Sequence, residues 1–500
     1  MNRALPAAPS ATTARLPWWT TLLDAFTLVA LALLVSNVAL GGFRLRFGNV
    51  RITAENPLRT LVIVVVLAGV RHFLCRTPSL PARLGHWARR AWRAPERGRI
   101  LPAFLLSRLM VLAVGFLGVV LVGYPEDAPP VRISRNELIN LPLRWDAGWY
   151  LQIAHDGYSY RANAGPAAQQ NVAFFPAYPM ITRVVAAFLG TRAVTVGEQI
   201  SGNRTEWRYA QHRRIVLAAM LVTLTAFGWA LVYLFRLARD LLGGDDDAAT
   251  GAVLMACLWP CSLFFSAMYT EALFLLACLG AWYHLRQGGH VAAGCWGLLA
   301  GLARPNGFLL AIPLAALVLL QWRAASRQDG GRTARLIAGL AAAATPGIGM
   351  LLFSAYLYSY TGRALVWMDA HQAWGRVATD VSGMLADRAS FIAEQGLYQY
   401  SVSQPLEILN AVPTFAALAL AIPIARRFGL PYALLVVVMV LPPLLRGGFL
   451  SLGRLTSTLF PLFLYLGWCL RGSTRAAVVA AFAGLQAFLA LLFFTWRPFF

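Results

Sequence analysis

The segment Arg144-Trp145-Asp146-Ala147-Gly148-Trp149-Tyr150-Leu151-Gln152-Ile153-Ala154-His155-Asp156-Gly157-Tyr158 sets an acid among aromatic rings just beyond an apolar run. Read as a helix, it places Asp146, Tyr150, Ile153 and Gly157 on one face, with Trp145, Trp149 and Gln152 beside them. Such a helix lies flat on a membrane interface. The same spacing also reads as an aromatic-belt helix whose acid is merely solvated. Asp156 would stand roughly 15 Å from Asp146 along a helix rising ~1.5 Å per residue, too far for the two acids to flank one bond. The chemistry open to this segment is that of a single carboxylate beside aromatic rings, not of a carboxylate pair.

Three other groups of residues bear on chemistry. Asn171-Val172-Ala173-Phe174-Phe175-Pro176-Ala177-Tyr178-Pro179 closes the polar stretch, and its prolines fix how the chain re-enters the membrane. Met268-Tyr269-Thr270-Glu271-Ala272-Leu273-Phe274 puts a carboxylate inside an apolar stretch, at a cost of about 2.5–3.5 kcal/mol unless it has a partner or faces water. Structure or site support is the expected role of Glu271, and Arg304, in the interrupted run around Arg304-Pro305-Asn306-Gly307, is a candidate partner for it or for a phosphate. Asp245-Asp246-Asp247 looks superficially like an acidic metal motif but sits in a short connector, where solvated charge is expected. No metal site is expected, and the cysteines show neither zinc-ligand spacing nor a disulfide framework.

These residues are carried by apolar runs that recur from end to end. The 500 residues are 58% hydrophobic and 13% charged, with a mean hydropathy of +0.60, which places most of the chain in lipid rather than in water. Runs of roughly 17–25 apolar residues span a ~30 Å hydrocarbon core as helices. The expected fold is an all-α polytopic membrane protein with about 11 to 13 spans. The run Val291–Leu320 is too long for one span and must be kinked or divided at Pro305.

The formal charge of +22 comes entirely from arginine, and the arginines fall in short connectors, as topology demands and as a nucleic-acid face does not. No nucleic-acid partner is expected. Seven arginines against Glu96 place the Arg76–Arg99 connector in the cytoplasm. The helix Ile100–Val122 then runs outward, and Gly123–Asn171 becomes a long extracytoplasmic loop. Arg323, Arg327, Arg332 and Arg335 mark another cytoplasmic connector, so Leu336–Tyr358 delivers Thr361–Asn410 to the same outer side. The first apolar run is long enough to remain as a helix rather than act as a cleaved signal. Residues 1–99, with two spans and the basic connector, read as an extension before a core of residues 100–500.

Trp145-Asp146 with Ile153-Ala154 and Gly157-Tyr158, then Phe174-Phe175-Pro176 and Pro179, then Tyr269-Thr270-Glu271 with Leu273-Phe274, and Arg304 with Asn306-Gly307 together resemble the PIG-V mannosyltransferase family. The resemblance covers roughly Ile100 to Gly307, and Trp374-Gly375-Arg376 and Gly453-Arg454 with Phe460-Pro461 resemble its bacterial members more weakly. Where the human-type pattern has Glu-His before Gly-Tyr, this chain has His155-Asp156. The resemblance implies the GT-C class, a multi-helix fold whose first extracytoplasmic loop carries an essential acid and whose donors are polyprenyl-phosphate sugars, usually mannose. Asp146 is the matching position.

On that footing the expectation is an inverting transfer at the outer face of a bacterial cytoplasmic membrane, to a lipid or glycan acceptor and among membrane lipids, without a cofactor. Asp146 is the expected general base. Arg376, Arg454 and Arg304 are the candidates to balance the leaving phosphate, and Trp145, Trp149, Tyr150, His155, Tyr269 and Glu271 are the further candidates to bind or support substrate. Two alternatives stay open: a transporter or flippase for a lipid-linked solute, and a GT-C enzyme using another sugar, such as arabinose.

Overall fold

A computed structural model of the chain describes residues 18–40, 43–47, 50–85, 96–128, 132–165, 167–191, 204–325 and 331–499. The polar N-terminus and the middle of the Arg76–Arg99 connector lie outside these residues. The chain divides into two compact units, Met1–Ala94 with Ala187–Ala193, and Pro95–Ala186 with Val194–Phe500.

In the first unit, α1 (Trp18–Leu40) and α2 (Pro57–Leu74) pack together and are joined by a short antiparallel hairpin, β1 (Phe43–Phe47) and β2 (Val50–Ala54). The Asn56 side chain caps α2 by accepting from the Arg59 N–H, and Pro57 fits the first helical position. Asp24, buried in α1, accepts from Arg71 Nε at 2.7 Å and from Arg83. Burial of that carboxylate therefore comes with paired cations, as apolar surroundings demand.

The second unit contains no β-strand among the described residues. Its elements are α3 (Arg97–Leu121), α4 (Ala147–His155), α5 (Ala177–Phe188, whose last two residues fall in the first unit), α6 (Arg204–Leu241), α7 (Asp246–Leu258), α8 (Glu271–Arg286), α9 (His290–Ala303), α10 (Ala311–Ala324), α11 (Arg332–Thr361), α12 (Val381–Ser403), α13 (Pro405–Phe428), α14 (Leu430–Leu445), α15 (Leu452–Thr456), α16 (Phe460–Cys469) and α17 (Gly472–Phe494), with short helical turns between. Among the described residues of the whole chain, eight helices are long and apolar enough to cross a membrane, and a bent pair makes a ninth if taken as one span. The chain is an all-α polytopic membrane protein; shorter apolar helices, α5, α9, α14 and α16, together with α8, occupy the remaining runs from which further spans were expected.

The apolar helices are interrupted at two places. The bent pair is α7 and the turn Pro260–Ser266, which meet at 75°. A broken helix strands carbonyls that lipid cannot satisfy. Buried Arg108 of α3 supplies the donors: Nη2 reaches the Cys257 carbonyl at 2.7 Å, and Nη1 reaches the Ser262 carbonyl at 2.6 Å. Gln486 adds a donor to the Trp259 carbonyl at 2.9 Å.

The second break divides the long run at Arg304. The residue before a proline avoids the helical region, and Arg304 is extended (φ −150°, ψ 153°) between α9 and the turn Pro305–Leu310. Glycines let α9 come close to α11: a Cβ at Gly301 would stand 2.0 Å from the Pro346 carbonyl oxygen. This packing fixes the height at which Arg304 leaves the helix.

A candidate active site between two loops

Residues 144–146 are held before any side-chain chemistry begins. Arg144, almost fully buried, donates to the Phe494, Asn140 and Leu143 carbonyls and to the Tyr124 hydroxyl, each at 2.7–3.2 Å. Trp145 takes a left-handed backbone (φ 54°), a strained state for an aromatic residue, and its ring lies 5.1 Å from that of Trp496. The Asp146 N–H donates to the Tyr269 hydroxyl at 3.1 Å, and that hydroxyl donates to the Arg144 carbonyl at 3.1 Å. Asp146 itself stands at the N-cap of α4 with a helical backbone (φ −61°, ψ −16°) and lines the same cavity as Tyr150.

The Asp146 carboxylate meets a residue 308 positions away: Oδ2 accepts from Arg454 Nη1 at 2.9 Å. The Nε of Arg454 lies 3.2 Å from Glu271 Oε1, and Arg304 Nη1 lies 2.8 Å from the same oxygen. Glu271 is completely buried at the first position of α8, where the helix dipole favours an anion. Two carboxylates and two guanidinium groups thus form one neutral cluster. Burial works against the Arg454 charge, but Glu271 and Asp146 outweigh it and hold the guanidinium more firmly protonated than a free arginine. The expected partnership of Arg304 with Glu271 is present.

The cluster opens on a cavity of about 1260 Å³ that Asp146, Arg304 and Arg454 help to line. Trp149 stacks on Phe174 at 5.9 Å between ring centroids, and Trp374 packs edge-on against both at 5.7 and 5.4 Å, giving an aromatic wall. Residues of the two loops predicted to share the outer side, 123–171 and 361–410, line this one cavity. Ser451 (φ 57°) and Trp496 (φ 60°) also line it, so every described non-glycine residue with a left-handed backbone borders the same space. Such strain collects at functional sites.

Arg376 differs from the clustered arginines. No carboxylate lies within ion-pair distance of it among the described residues, and its buried Nη1 has no hydrogen-bond partner. Burial pushes its pKa down to about 10, with Arg454 and Arg304 adding to the shift, so it remains charged at neutral pH. Arg446 lines the cavity too, and no ion pair to a carboxylate is seen for it among the described residues. A backbone bridge pairs Ala378 with Arg446, and the Thr379 N–H donates to the Leu445 carbonyl at 3.0 Å, which ties the two arginine-bearing segments together. Gly447 (φ 114°) is required here, since a Cβ would come 3.0 Å from Arg376 Cδ.

His371, another lining residue, donates from Nδ1 to the Trp367 carbonyl at 2.6 Å, which leaves Nε2 as an acceptor. Burial pushes its pKa down to about 4. Its imidazole is therefore uncharged at neutral pH.

Of the residues expected at the site, Trp145, Asp146, Trp149, Tyr150, Arg304, Arg376 and Arg454 line the cavity, while Tyr269 and Glu271 stand directly behind it. His155 does not line it; its Nδ1 meets Asp156 Oδ1 at 2.6 Å and its ring packs 4.9 Å from His212. Arg446 and His371 were missed. The prolines and glycines bracketing Arg446 (Pro442-Pro443, Gly447-Gly448) and the tryptophans flanking His371 were the available signals. The triple aspartate is exposed, as expected of solvated charge, and it is also ion-paired: Asp246 with Arg239 and Arg99, Asp245 with Arg471, and Asp247 with Arg471 and Arg475. No group of three metal-ligating side chains occurs there or elsewhere among the described residues.

Residues 124–364 match the sequence model of the mannosyltransferase (PIG-V) family. The chain is 30% identical over 225 residues to GPI alpha-1,6-mannosyltransferase 2 of Cricetulus griseus, covering 43% of this chain and 41% of that protein. It is 28% identical over 235 residues to GPI mannosyltransferase 2 of Drosophila melanogaster, covering 42% of this chain and 46% of that protein. The chain thus spans less than half the length of the curated relatives it matches. The family match contains Asp146, Glu271 and Arg304 and stops short of Arg376, Arg446 and Arg454.

Proposed function

With residues 124–364 PIG-V-like, we propose that the chain is a membrane glycosyltransferase that moves mannose from a polyprenyl-phosphate donor to a hydroxyl of a lipid or glycan acceptor at the extracytoplasmic face. The observation that carries this reading is the meeting, in one cavity, of the Asp146 carboxylate, an aromatic wall and two arginines that pair with no carboxylate among the described residues. Residues 100–500 form the catalytic core of this reading, in the manner of GT-C enzymes, and residues 1–99 precede it.

In the transfer, the acceptor oxygen bonds to the anomeric carbon as the bond from that carbon to the phosphate oxygen breaks. The hydroxyl proton goes to Asp146, whose Oδ1 is left open because Arg454 holds Oδ2. The electron pair leaves with the polyprenyl phosphate, whose charge Arg376 and Arg446 balance. A single displacement inverts the anomeric centre, so a β-linked donor gives an α-linked product. The Cricetulus griseus relative is named for an alpha-1,6 linkage. Trp149, Phe174 and Trp374 offer ring faces to the sugar.

Purified protein should transfer labelled mannose from polyprenyl-phosphate mannose, with or without a chelator, and should ignore GDP-mannose. Turnover from GDP-mannose after removal of all lipid carriers would overturn the donor. The side of the membrane is tested by single cysteines: one at Gly165 should react with an impermeant thiol reagent from outside, and one in the Arg76–Arg99 connector should not.

A further inference from the structure

We propose that Glu271 is a positioning residue: it fixes Arg454, and through Arg454 it sets the carboxylate of Asp146. The inference rests on the proposed transfer reaction and adds a role for a residue that never reaches the reacting atoms.

The geometry is a two-point hold exerted by one short segment. Tyr269 takes the backbone of Asp146, its hydroxyl accepting the Asp146 N–H at 3.1 Å. Two residues later, Glu271 takes the side chain through an intermediary: Glu271 Oε1 lies 3.2 Å from Arg454 Nε, and Arg454 Nη1 donates to Asp146 Oδ2 at 2.9 Å. The guanidinium thus uses one edge for each carboxylate, while its flat faces pack near the rings of Phe264 and Tyr269, at 5.6 and 5.5 Å. An arginine between two anions and two rings has little freedom to leave.

A purely structural role for Glu271, as the counter-charge that allows Arg304 to be buried, would account for one of its contacts only. The same oxygen serves both arginines. The arrangement matters most during turnover. When Asp146 takes up the acceptor's proton it becomes neutral, and its attraction for Arg454 falls away. Glu271 keeps its charge and retains Arg454 in place, so the carboxylate meets the same partner when the proton is given up.

The test is a pair of double-variant cycles on full-length protein in detergent, assayed with polyprenyl-phosphate mannose. Glu271→Gln and Arg454→Gln should each lower kcat by about 10²-fold with the donor KM within about threefold. The double variant should be no slower than the worse single one, because both break the same link. Losses that multiply would overturn the inference and leave the functional reading standing. The second cycle reads thermal stability: Glu271→Gln with Asp146→Asn should lower Tm by more than the sum of the single changes, since only the double variant leaves Arg454 with neither carboxylate. Additive changes in Tm would overturn the coupling. This cycle decides even if no polyprenyl-phosphate donor supports transfer, an outcome that would sink the functional reading instead. Should Glu271→Gln not fold, because Arg304 loses its partner, Glu271→Asp takes its place in the kinetic cycle. It keeps the charge, and it should lose about tenfold in kcat at unchanged KM; wild-type kcat with a lowered Tm would overturn the inference.

Discussion

The site cluster and the Asp245–Asp247 cluster are built from the same residue types yet differ in nearly every physical respect. The triple aspartate stands beside the start of α3, through Arg99, whereas Tyr124 and Arg144 lie beyond its end. A helix of 25 residues separates them, roughly 37 Å at ~1.5 Å per residue, which is a membrane thickness. In the aspartate cluster the carboxylates are wet, with side-chain exposures of 36–62%, and they accept hydrogen bonds from Arg471 and Arg475. Asp245 also caps α7 by accepting from the Ala248 N–H at 2.8 Å. At the site, Glu271 is 0% exposed, and neither of its oxygens makes a hydrogen bond of good geometry. Exposed pairs are worth about 0–1 kcal/mol each, while breaking a buried pair costs about 3–5 kcal/mol. Counting ion pairs would rate the aspartate cluster higher. Burial singles out the other one.

The sharpest way to break the contrast is Asp146→Asn. The amide keeps the shape and still offers an acceptor to Arg454, so the protein should remain folded while transfer falls by about 10²–10⁴-fold; the rate of purified variant against wild type decides. Activity within a few-fold of wild type would remove Asp146 as the base.

Arg376→Gln should separate function from stability. It removes a partly buried cation that has no carboxylate partner, so the variant should melt at the same temperature as wild type or higher. Transfer should drop by about 10–100-fold, mostly in kcat, because the charge on the phosphate grows as the glycosidic bond breaks. A lowered Tm with normal kcat would place Arg376 in the framework instead.

The smallest effect belongs to the opposite end of the bundle. Asp247→Asn cuts ion pairs that solvent already screens, and should change Tm by no more than a few degrees and kcat by less than about twofold. A large loss of transfer there would erase the distinction between the clusters.

Much of this was legible in the chain itself, for definite reasons. Asp146 stood out because aromatic rings surround it at the edge of an apolar run, and Glu271 because a carboxylate in an apolar stretch demands a partner. Arg304 was a candidate for that partner because Pro305 had to break the helix there, and the break places it 2.8 Å from Glu271. The contact of Arg454 with Asp146 could not be read, since nothing local to either residue encodes a meeting across 308 positions. Arg454, a candidate for the donor phosphate, lines the cavity and lies between two carboxylates. Arg446 and His371 escaped because their roles depend on a backbone bridge and a buried carbonyl, which only tertiary structure supplies. The arginine partners of the aspartate run escaped for a related reason: they come from three separate helices, α3, α6 and the start of α17.

The ring contact of Trp145 with Trp496 and the ion pair of Asp146 with Arg454 give the cavity a place in time as well as in space. At ~5–20 residues per second of synthesis, the 308 residues between Asp146 and Arg454 take roughly 15–60 s to appear. Glu271 and Arg304, on neighbouring helices, can neutralise each other as those helices enter the bilayer. Asp146 has to wait at the water's edge. The chain therefore settles the Glu271–Arg304 pair first, and assembles the pair that faces the cavity only when the last helices arrive.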